Sequence, residues 1–124
     1  MTVSLRIAVV DDEASVRKAL KRLLRSVGHS VETFETGGAF LQSLNQEIPD
    51  CVILDLNLPG ITGLDVLNSL NEGRWKLVVV VITGDDQPGV RQRVLALGAS
   101  AYLPKPLDEK ILLAALTGRQ ENPA

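Results

Sequence analysis

The sequence predicts an α/β domain built on a doubly wound, five-stranded parallel sheet with five helices. Short apolar runs alternate five times with longer segments in which apolar residues recur every three or four positions. Two of the runs, residues 51–54 and 77–82, are apolar at every position. Strands have this composition when helices cover both faces of a parallel sheet. Right-handed βαβ units account for both observations.

Five runs are predicted as strands from their length and residue type. They are residues 5–10, 30–34, 51–54, 77–82 and 101–103. The fourth gives the clearest signal, with six consecutive aliphatic residues that include four valines. The second alternates polar and apolar residues, which indicates modest burial.

The first three predicted helices have recognisable ends. The first begins at Ala14 and ends at Gly28, because glycine readily takes the left-handed conformation that terminates helices. Thr36 is a suitable N-cap for the second. Thr62 and Asp65 have the spacing of a capping box, which predicts that the third helix begins there.

The last two helices are predicted in the same way. Asp86 and Pro88 are suited to begin the fourth helix, and Gly98 ends it. Asp108 caps the fifth. Its inward-facing residues are expected to be Ile111, Leu112, Ala115 and Leu116.

The strand order 2-1-3-4-5, the flavodoxin-like arrangement, is a common solution for five strands connected in this way and is the order predicted here. With 124 residues the chain is long enough for one domain and too short for two. We expect the domain to span residues 1–118, followed by a polar tail or the start of a linker at residues 119–124.

Composition excludes several classes of function. The net charge of -2 argues against a nucleic-acid or anionic-membrane surface. No apolar run approaches the roughly 20 residues of a membrane-spanning helix, and the first residues lack the pattern of a secretion signal. A single cysteine, Cys51, permits no internal disulfide. These features predict a cytoplasmic protein.

Chemically active residues follow four of the five strands. In the predicted order the connections reverse between strands 1 and 3, and ligands bind beyond the carboxyl ends of the strands at such a point. The residues at these ends are Asp11, Asp12 and Glu13 after strand 1, Asp55 after strand 3, Thr83 after strand 4 and Lys105 after strand 5. Glu13 is better suited to the first turn of helix 1, where the helix dipole favours an acid. The three carboxylates of Asp11, Asp12 and Asp55, one hydroxyl and one ammonium group are therefore expected to converge.

Carboxylates brought together repel one another, and a divalent cation removes that cost. Oxygen ligands without histidine or cysteine favour Mg²⁺, with Mn²⁺ as the second choice. Such an ion usually shares its ligation with a phosphate, and a lysine and a hydroxyl suit the remaining phosphoryl oxygens. A carboxylate there can act as nucleophile. The residues alone therefore indicate phosphoryl transfer to Asp55.

Over residues 6–116 the sequence resembles the receiver domains of bacterial response regulators. The matching motifs are Asp11-Asp12, Asp55 with Leu58-Pro59-Gly60 and Gly63, Thr83-Gly84, Gly98-Ala99, and Tyr102-Leu103-Pro104-Lys105-Pro106. Each is weak alone, but five in the right order at the right strand ends are specific. The start of the chain and the spacing of helix 1 look most like receivers joined to helix-turn-helix output domains.

The resemblance implies a metal site and a phosphoacceptor. Asp12 and Asp55 would bind Mg²⁺ directly, the backbone carbonyl of Asn57 would be a third ligand, and Asp11 would act mainly through water. Asp55 would accept the phosphoryl group from a histidine kinase or phosphotransfer protein. Lys105 would contact that group, and its bond to Pro106 would be cis.

A switch is expected to connect this site to a distant surface. Thr83 would donate its hydroxyl to a phosphoryl oxygen, and Tyr102 would then rotate from an exposed to a buried position. The affected surface is helix 4, strand 5 and helix 5, which would bind a partner or pair two receivers in a phosphorylation-dependent dimer. Asn57 and Asp85, two residues beyond Asp55 and Thr83, would tune the lifetime of the phosphoryl group.

Two other functions compete with this interpretation. A small phosphatase of the haloacid dehalogenase type would use an aspartyl phosphate. Those enzymes carry an Asp-x-Asp motif after strand 1, whereas this chain has Asp11-Asp12-Glu13 there. A flavodoxin-like cofactor binder would need a phosphate loop, which three acids would oppose. A receiver is not a conventional enzyme, since it catalyses only its own phosphorylation and dephosphorylation. Core packing is the alternative role for Tyr102.

Overall fold

A computed structural model describes residues 3–117, and its ten elements alternate between strands and helices. The strands are β1 (Arg6–Val10), β2 (Ser30–Phe34), β3 (Cys51–Asp55), β4 (Val78–Thr83) and β5 (Ala101–Pro104). The helices are α1 (Ala14–Ser26), α2 (Gly37–Ser43), α3 (Gly63–Gly73), α4 (Val90–Ala96) and α5 (Glu109–Leu116). All neighbouring strands are parallel, in the order β2-β1-β3-β4-β5. The predicted fold class and strand order are confirmed.

The core lies on both faces of the sheet, as the two fully apolar runs predicted. One cluster joins alternate residues of the central strands to α2, α3 and α4 and includes Phe40 and Leu67. The other joins the remaining strand residues to α1 and α5 and includes Leu24 and Leu112. Cys51 lies in the second cluster, where burial, and then the charge of Asp50, raise the pKa of its thiol to about 12. It is therefore a packing residue.

Most predicted helix ends are confirmed. The Thr36 side chain accepts a hydrogen bond from the Ala39 N–H, at 3.1 Å. Thr62 and Asp65 form the reciprocal capping box. At α5, the Asp108 carboxylate accepts from the Ile111 N–H, at 3.1 Å. These side chains accept hydrogen bonds from backbone N–H groups that have no partner within the first turn of a helix.

The predicted start of α4 is wrong. Instead of Asp86 or Pro88, the residue before the helix is Gly89, with φ of 85°, and the helix begins at Val90. This left-handed conformation favours glycine. The Asp86 carboxylate is engaged by another partner, described below, so it caps no helix.

One predicted inward residue of α5 is also wrong. Ile111 is 55% exposed, whereas Leu112 and Leu116 are buried. Leu112 and Leu116 are four residues apart and both face the sheet. Ile111 is the neighbour of Leu112 in sequence, so the helix directs its side chain to another side, toward solvent.

The start of α3 is held directly against the end of β3. The Gly63 N–H donates to the Leu56 carbonyl, at 3.1 Å. A Cβ at Gly63 would collide with the Asp55 carbonyl oxygen and with Leu56 Cα. Glycine therefore permits a close approach that fixes the chain immediately after Asp55.

No helix within residues 3–117 is long and apolar enough to span a membrane. The predicted tail at residues 119–124 lies outside the described residues, as does the expected domain boundary at residue 118.

Candidate functional site

Polar residues are buried at the carboxyl edge of the sheet. Asp11 directly follows β1 and is fully buried, Asp55 ends β3 and is 3% exposed, and Thr83 ends β4 and is 1% exposed. These are the only buried polar or charged residues in the described part of the chain. Because burial of a charged group is costly unless it is paired, a cluster of this kind requires compensation.

Three of the predicted carboxylates come together. Asp11, Asp12 and Asp55 each offer an oxygen, and these oxygens lie within 4.8 Å of one another. Asp12 is exposed, so the cluster is open to solvent on one side. An all-oxygen set with one open side fits Mg²⁺ or Mn²⁺, which keep several water ligands.

Lys105 supplies the opposing charge. Its Nζ lies 3.2 Å from Asp11 Oδ2 and 3.3 Å from Asp55 Oδ2, with Glu13 Oε1 at 3.8 Å. Partial burial opposes the charge of the lysine, but the attraction of Asp55 and Asp11 outweighs it and raises the pKa of Lys105. The predicted cis bond between Lys105 and Pro106 is present.

Asp55 is held by both of its carboxylate oxygens. Oδ1 accepts from the Asn57 N–H at 2.9 Å, and Oδ2 accepts from Lys105 Nζ. Burial raises the pKa of Asp55 above its ordinary value, the Asn57 N–H opposes this shift, and the charge of Asp11 adds to it. The result is a fixed carboxylate oxygen that is more basic than an ordinary aspartate.

The loop after β1 is also fixed by hydrogen bonds, one of which the sequence did not suggest. Asp11 Oδ1 accepts from the Glu13 N–H at 2.9 Å, and the Asp11 carbonyl accepts from the Arg17 guanidinium at 2.8 Å. Arg17 lies on α1, and no spacing in the sequence indicates this contact. Its long side chain allows α1 to hold the acidic loop.

The Thr83 hydroxyl takes a local partner. It accepts from the Asp85 N–H at 3.0 Å and donates to the Asp85 carbonyl at 3.2 Å. The exposed Asp85 carboxylate accepts from the Gln87 amide at 3.0 Å. Thr83 therefore lies at the predicted strand end with its hydroxyl engaged by its own loop.

Tyr102 is buried, being 3% exposed, and its hydroxyl donates to Asp86 Oδ1 at 2.8 Å. Burial, and then the hydrogen bond and charge of Asp86, raise the pKa of the phenol to about 12. The exposed position expected for Tyr102 before switching is thus not the one observed. Asp86 was not predicted at the site, because its contact depends on the shape of a loop.

The topology and this constellation of residues define a receiver domain, and the chain belongs to that family. It matches the family model of the response regulator receiver domain over residues 7–117. It is therefore a receiver domain of two-component response regulators. This result sets aside the phosphatase and the flavodoxin-like cofactor binder as alternatives.

Curated relatives agree with this assignment. The transcriptional regulatory protein FixJ of Azorhizobium caulinodans is 34% identical over 131 aligned positions, which cover 98% of this chain and 62% of the relative. The response regulator MprA of Mycobacterium bovis is 38% identical over 114 positions, covering 92% and 50%. The chain thus spans about half to three fifths of the length of these relatives.

Solved structures also match. A response regulator receiver protein from Burkholderia phymatum is 41% identical, with a TM-score of 0.79 over 93% of this chain and 96% of the other. A structure described as the BeF3-activated DrrB receiver domain is 31% identical, with a TM-score of 0.82 over 93% and 96%.

Proposed function

We propose that Asp55 is the phosphoacceptor of this receiver and that its phosphorylation switches a distant surface. The observation that carries the proposal is the position of the Asp55 carboxylate, which is buried at the carboxyl edge of the sheet and shares the Lys105 ammonium group with Asp11. The Asn57 N–H orients one carboxylate oxygen. Preorganised groups of this kind favour in-line attack on phosphorus, because positioning supplies most of the catalysis in phosphoryl transfer.

The metal in this proposal is Mg²⁺, with Mn²⁺ as a substitute. Asp12 and Asp55 would hold it directly, with the Asn57 backbone carbonyl as a third ligand and Asp11 acting through water. The spacing of the three carboxylates supports this assignment. When bound, the ion would neutralise charge that develops on the phosphoryl oxygens.

The donor in this proposal is a histidine kinase or a phosphotransfer protein. An Asp55 oxygen forms the new O–P bond while the P–N bond of the donor phosphohistidine breaks, and the donor ring, already protonated on its other nitrogen, leaves as neutral imidazole. Lys105 moves from its carboxylate partners to a phosphoryl oxygen, and Thr83 donates its hydroxyl to another. Lys105 already contacts the Asp55 carboxylate, and Thr83 ends β4, the strand beside β3, which supports these two roles. No separate substrate is turned over.

The output surface in this proposal is α4, β5 and α5. Thr83 and Tyr102 connect it to Asp55, and the surface binds a partner or pairs two receivers in a phosphorylation-dependent dimer. Ile111 and Leu95, exposed apolar residues of α5 and α4, support an interface there. We expect residues 1–118 to form a cytoplasmic receiver domain. The resemblance to receivers joined to helix-turn-helix domains makes such a domain the expected output.

The proposal is tested by phosphorylation with acetyl phosphate. The wild-type protein, incubated with acetyl phosphate and Mg²⁺, should gain the mass of one phosphoryl group, and chelation of the metal should abolish the gain. Asp55→Asn, which keeps size and hydrogen bonding but removes the nucleophile, should gain none. Asp50→Asn, at the other end of β3, is the matched control and should behave as wild type. Equal uptake by Asp55→Asn would refute the assignment.

A further inference from the structure

The loop between β4 and α4, residues 84–89, is exposed at every position. Its hydrogen bonds are mostly local: Asp85 pairs with Thr83 and with Gln87, and the Val90 N–H donates to the Gln87 carbonyl. Within residues 3–117, one hydrogen bond joins this loop to an element other than the two that flank it. That bond is the one from the Tyr102 hydroxyl to Asp86.

The two ends of this bond lie in different surroundings. The Tyr102 ring belongs to the apolar cluster that includes Val81, Val94 and Ala99. Asp86 is exposed, and among the described residues it takes part in no other side-chain hydrogen bond or ion pair. The carboxylate therefore has no evident task other than to hold the hydroxyl at the edge of the core.

Two features make Asp86 suited to this task. A carboxylate accepts hydrogen bonds more strongly than a neutral group does. Burial and the nearby Asp86 raise the pKa of Tyr102 to about 12, so the phenol keeps its proton and remains a donor at physiological pH. Asp85, the adjacent acid, has other partners: its backbone pairs with Thr83 and its side chain accepts from Gln87.

We propose that Asp86 is a positioning residue that holds the Tyr102 ring in its buried position and links the movement of residues 84–89 to β5. Thr83 leads directly into this loop, so a hydroxyl drawn toward Asp55 displaces the loop and with it the acceptor of the Tyr102 hydrogen bond. The inference rests on the proposed function only for the cause of that movement. The holding of Tyr102 by Asp86 does not depend on phosphorylation.

The first test measures the holding itself. Tyr102 is the only tyrosine, so its oxidation by hydroxyl radicals, which does not depend on ionisation of the phenol and is located by peptide mass mapping, reports its accessibility. Loss of a hydrogen bond to a charged acceptor should make Asp86→Ala react roughly tenfold faster than wild type. Asp86→Asn retains an acceptor oxygen and should stay within about threefold of wild type. Glu72→Ala, which removes an exposed charge from α3, is the control and should match wild type. Equal rates for Asp86→Ala and wild type would overturn the proposal.

The second test measures the coupling. The single tyrosine is labelled with ¹³C in its ring, and beryllofluoride with Mg²⁺ is added as a phosphoryl mimic. In wild type, both the amides of residues 56–57 and the Tyr102 ring signals should shift. In Asp86→Ala the amide shifts should persist and most of the ring response should be lost. A full ring response in this variant would contradict the coupling. Silent amides in wild type would contradict the proposed function instead, and the oxidation rates would still decide the role of Asp86.

Discussion

Lys105→Met removes the cation that lies between the buried carboxylates of Asp11 and Asp55, while it keeps an unbranched side chain of similar reach. Lys105 Nζ is 3.2 Å from Asp11 and 3.3 Å from Asp55. At an effective dielectric constant of about 20, a pair at this distance attracts by about 5 kcal/mol. Desolvation of the charges offsets much of that attraction, so the net contribution is smaller.

The size of the effect follows from what remains in the variant. Removing one partner of a buried ion pair costs about 3–5 kcal/mol, because the other charge stays buried and unpaired. The Lys105 side chain is 21% exposed, and the open side of the cluster admits water. We therefore expect the free energy of unfolding to fall by about 3 kcal/mol without metal. Mg²⁺ should restore part of it, since a cation again separates Asp11 and Asp55.

Urea unfolding followed by circular dichroism, with and without Mg²⁺, measures both effects. Lys110→Met on α5 is the matched control, because Lys110 is exposed and forms no ion pair in the described part of the chain. It should lose less than about 0.5 kcal/mol. If both variants lose the same amount, or if Mg²⁺ stabilises wild type and Lys105→Met equally, Lys105 does not compensate the carboxylates.

Three further outcomes are expected. Asp12→Ala should weaken Mg²⁺ binding, measured by calorimetry, and unchanged affinity would exclude Asp12 as a ligand. Without metal, the variant should melt at the same or a higher temperature than wild type, because repulsion between the carboxylates falls. Gly63→Ala should lower the free energy of unfolding by about 2 kcal/mol, because its Cβ meets the backbone at the end of β3. Gly38→Ala, whose Cβ makes an ordinary 3.6 Å contact, should cost far less, and equal losses would contradict the close approach. Bulky apolar residues at both Asn57 and Asp85 should slow hydrolysis of the acyl phosphate, followed as loss of phosphorylated mass; an unchanged decay rate would show that they do not gate water.

The sheet and most helix ends were predictable because their signals are local. A buried parallel strand must be apolar throughout, and residues 51–54 and 77–82 are. A capping side chain bonds to a backbone group three residues away, so Thr62 and Asp108 could be identified from spacing alone. Once the strand order was inferred, the convergence of Asp11 and Asp55 followed from the geometry of parallel strands.

The contacts within the site were less predictable, because they depend on loop conformation. The sequence predicts that α4 begins at Asp86 and Pro88, which is too early, because Gly89 in a left-handed conformation precedes the helix. The same loop brings Asp86 to Tyr102 across 16 positions in sequence, and no spacing rule indicates that pair. The sequence predicts that Ile111 faces inward with Leu112, Ala115 and Leu116, but the packing of Leu112 and Leu116 turns Ile111 outward.

Identification of the phosphorylated residue tests the central claim most directly. The protein is phosphorylated with acetyl phosphate and Mg²⁺, and the acyl phosphate is then reduced with borohydride, which converts a phosphorylated aspartate to homoserine. Peptide mapping by mass spectrometry locates the modified residue. We expect homoserine at position 55 alone, because the Asp55 carboxylate ends the central strand beside Lys105. Homoserine at position 11 or 12, or phosphoryl uptake that leaves Asp55 unmodified, would contradict the account.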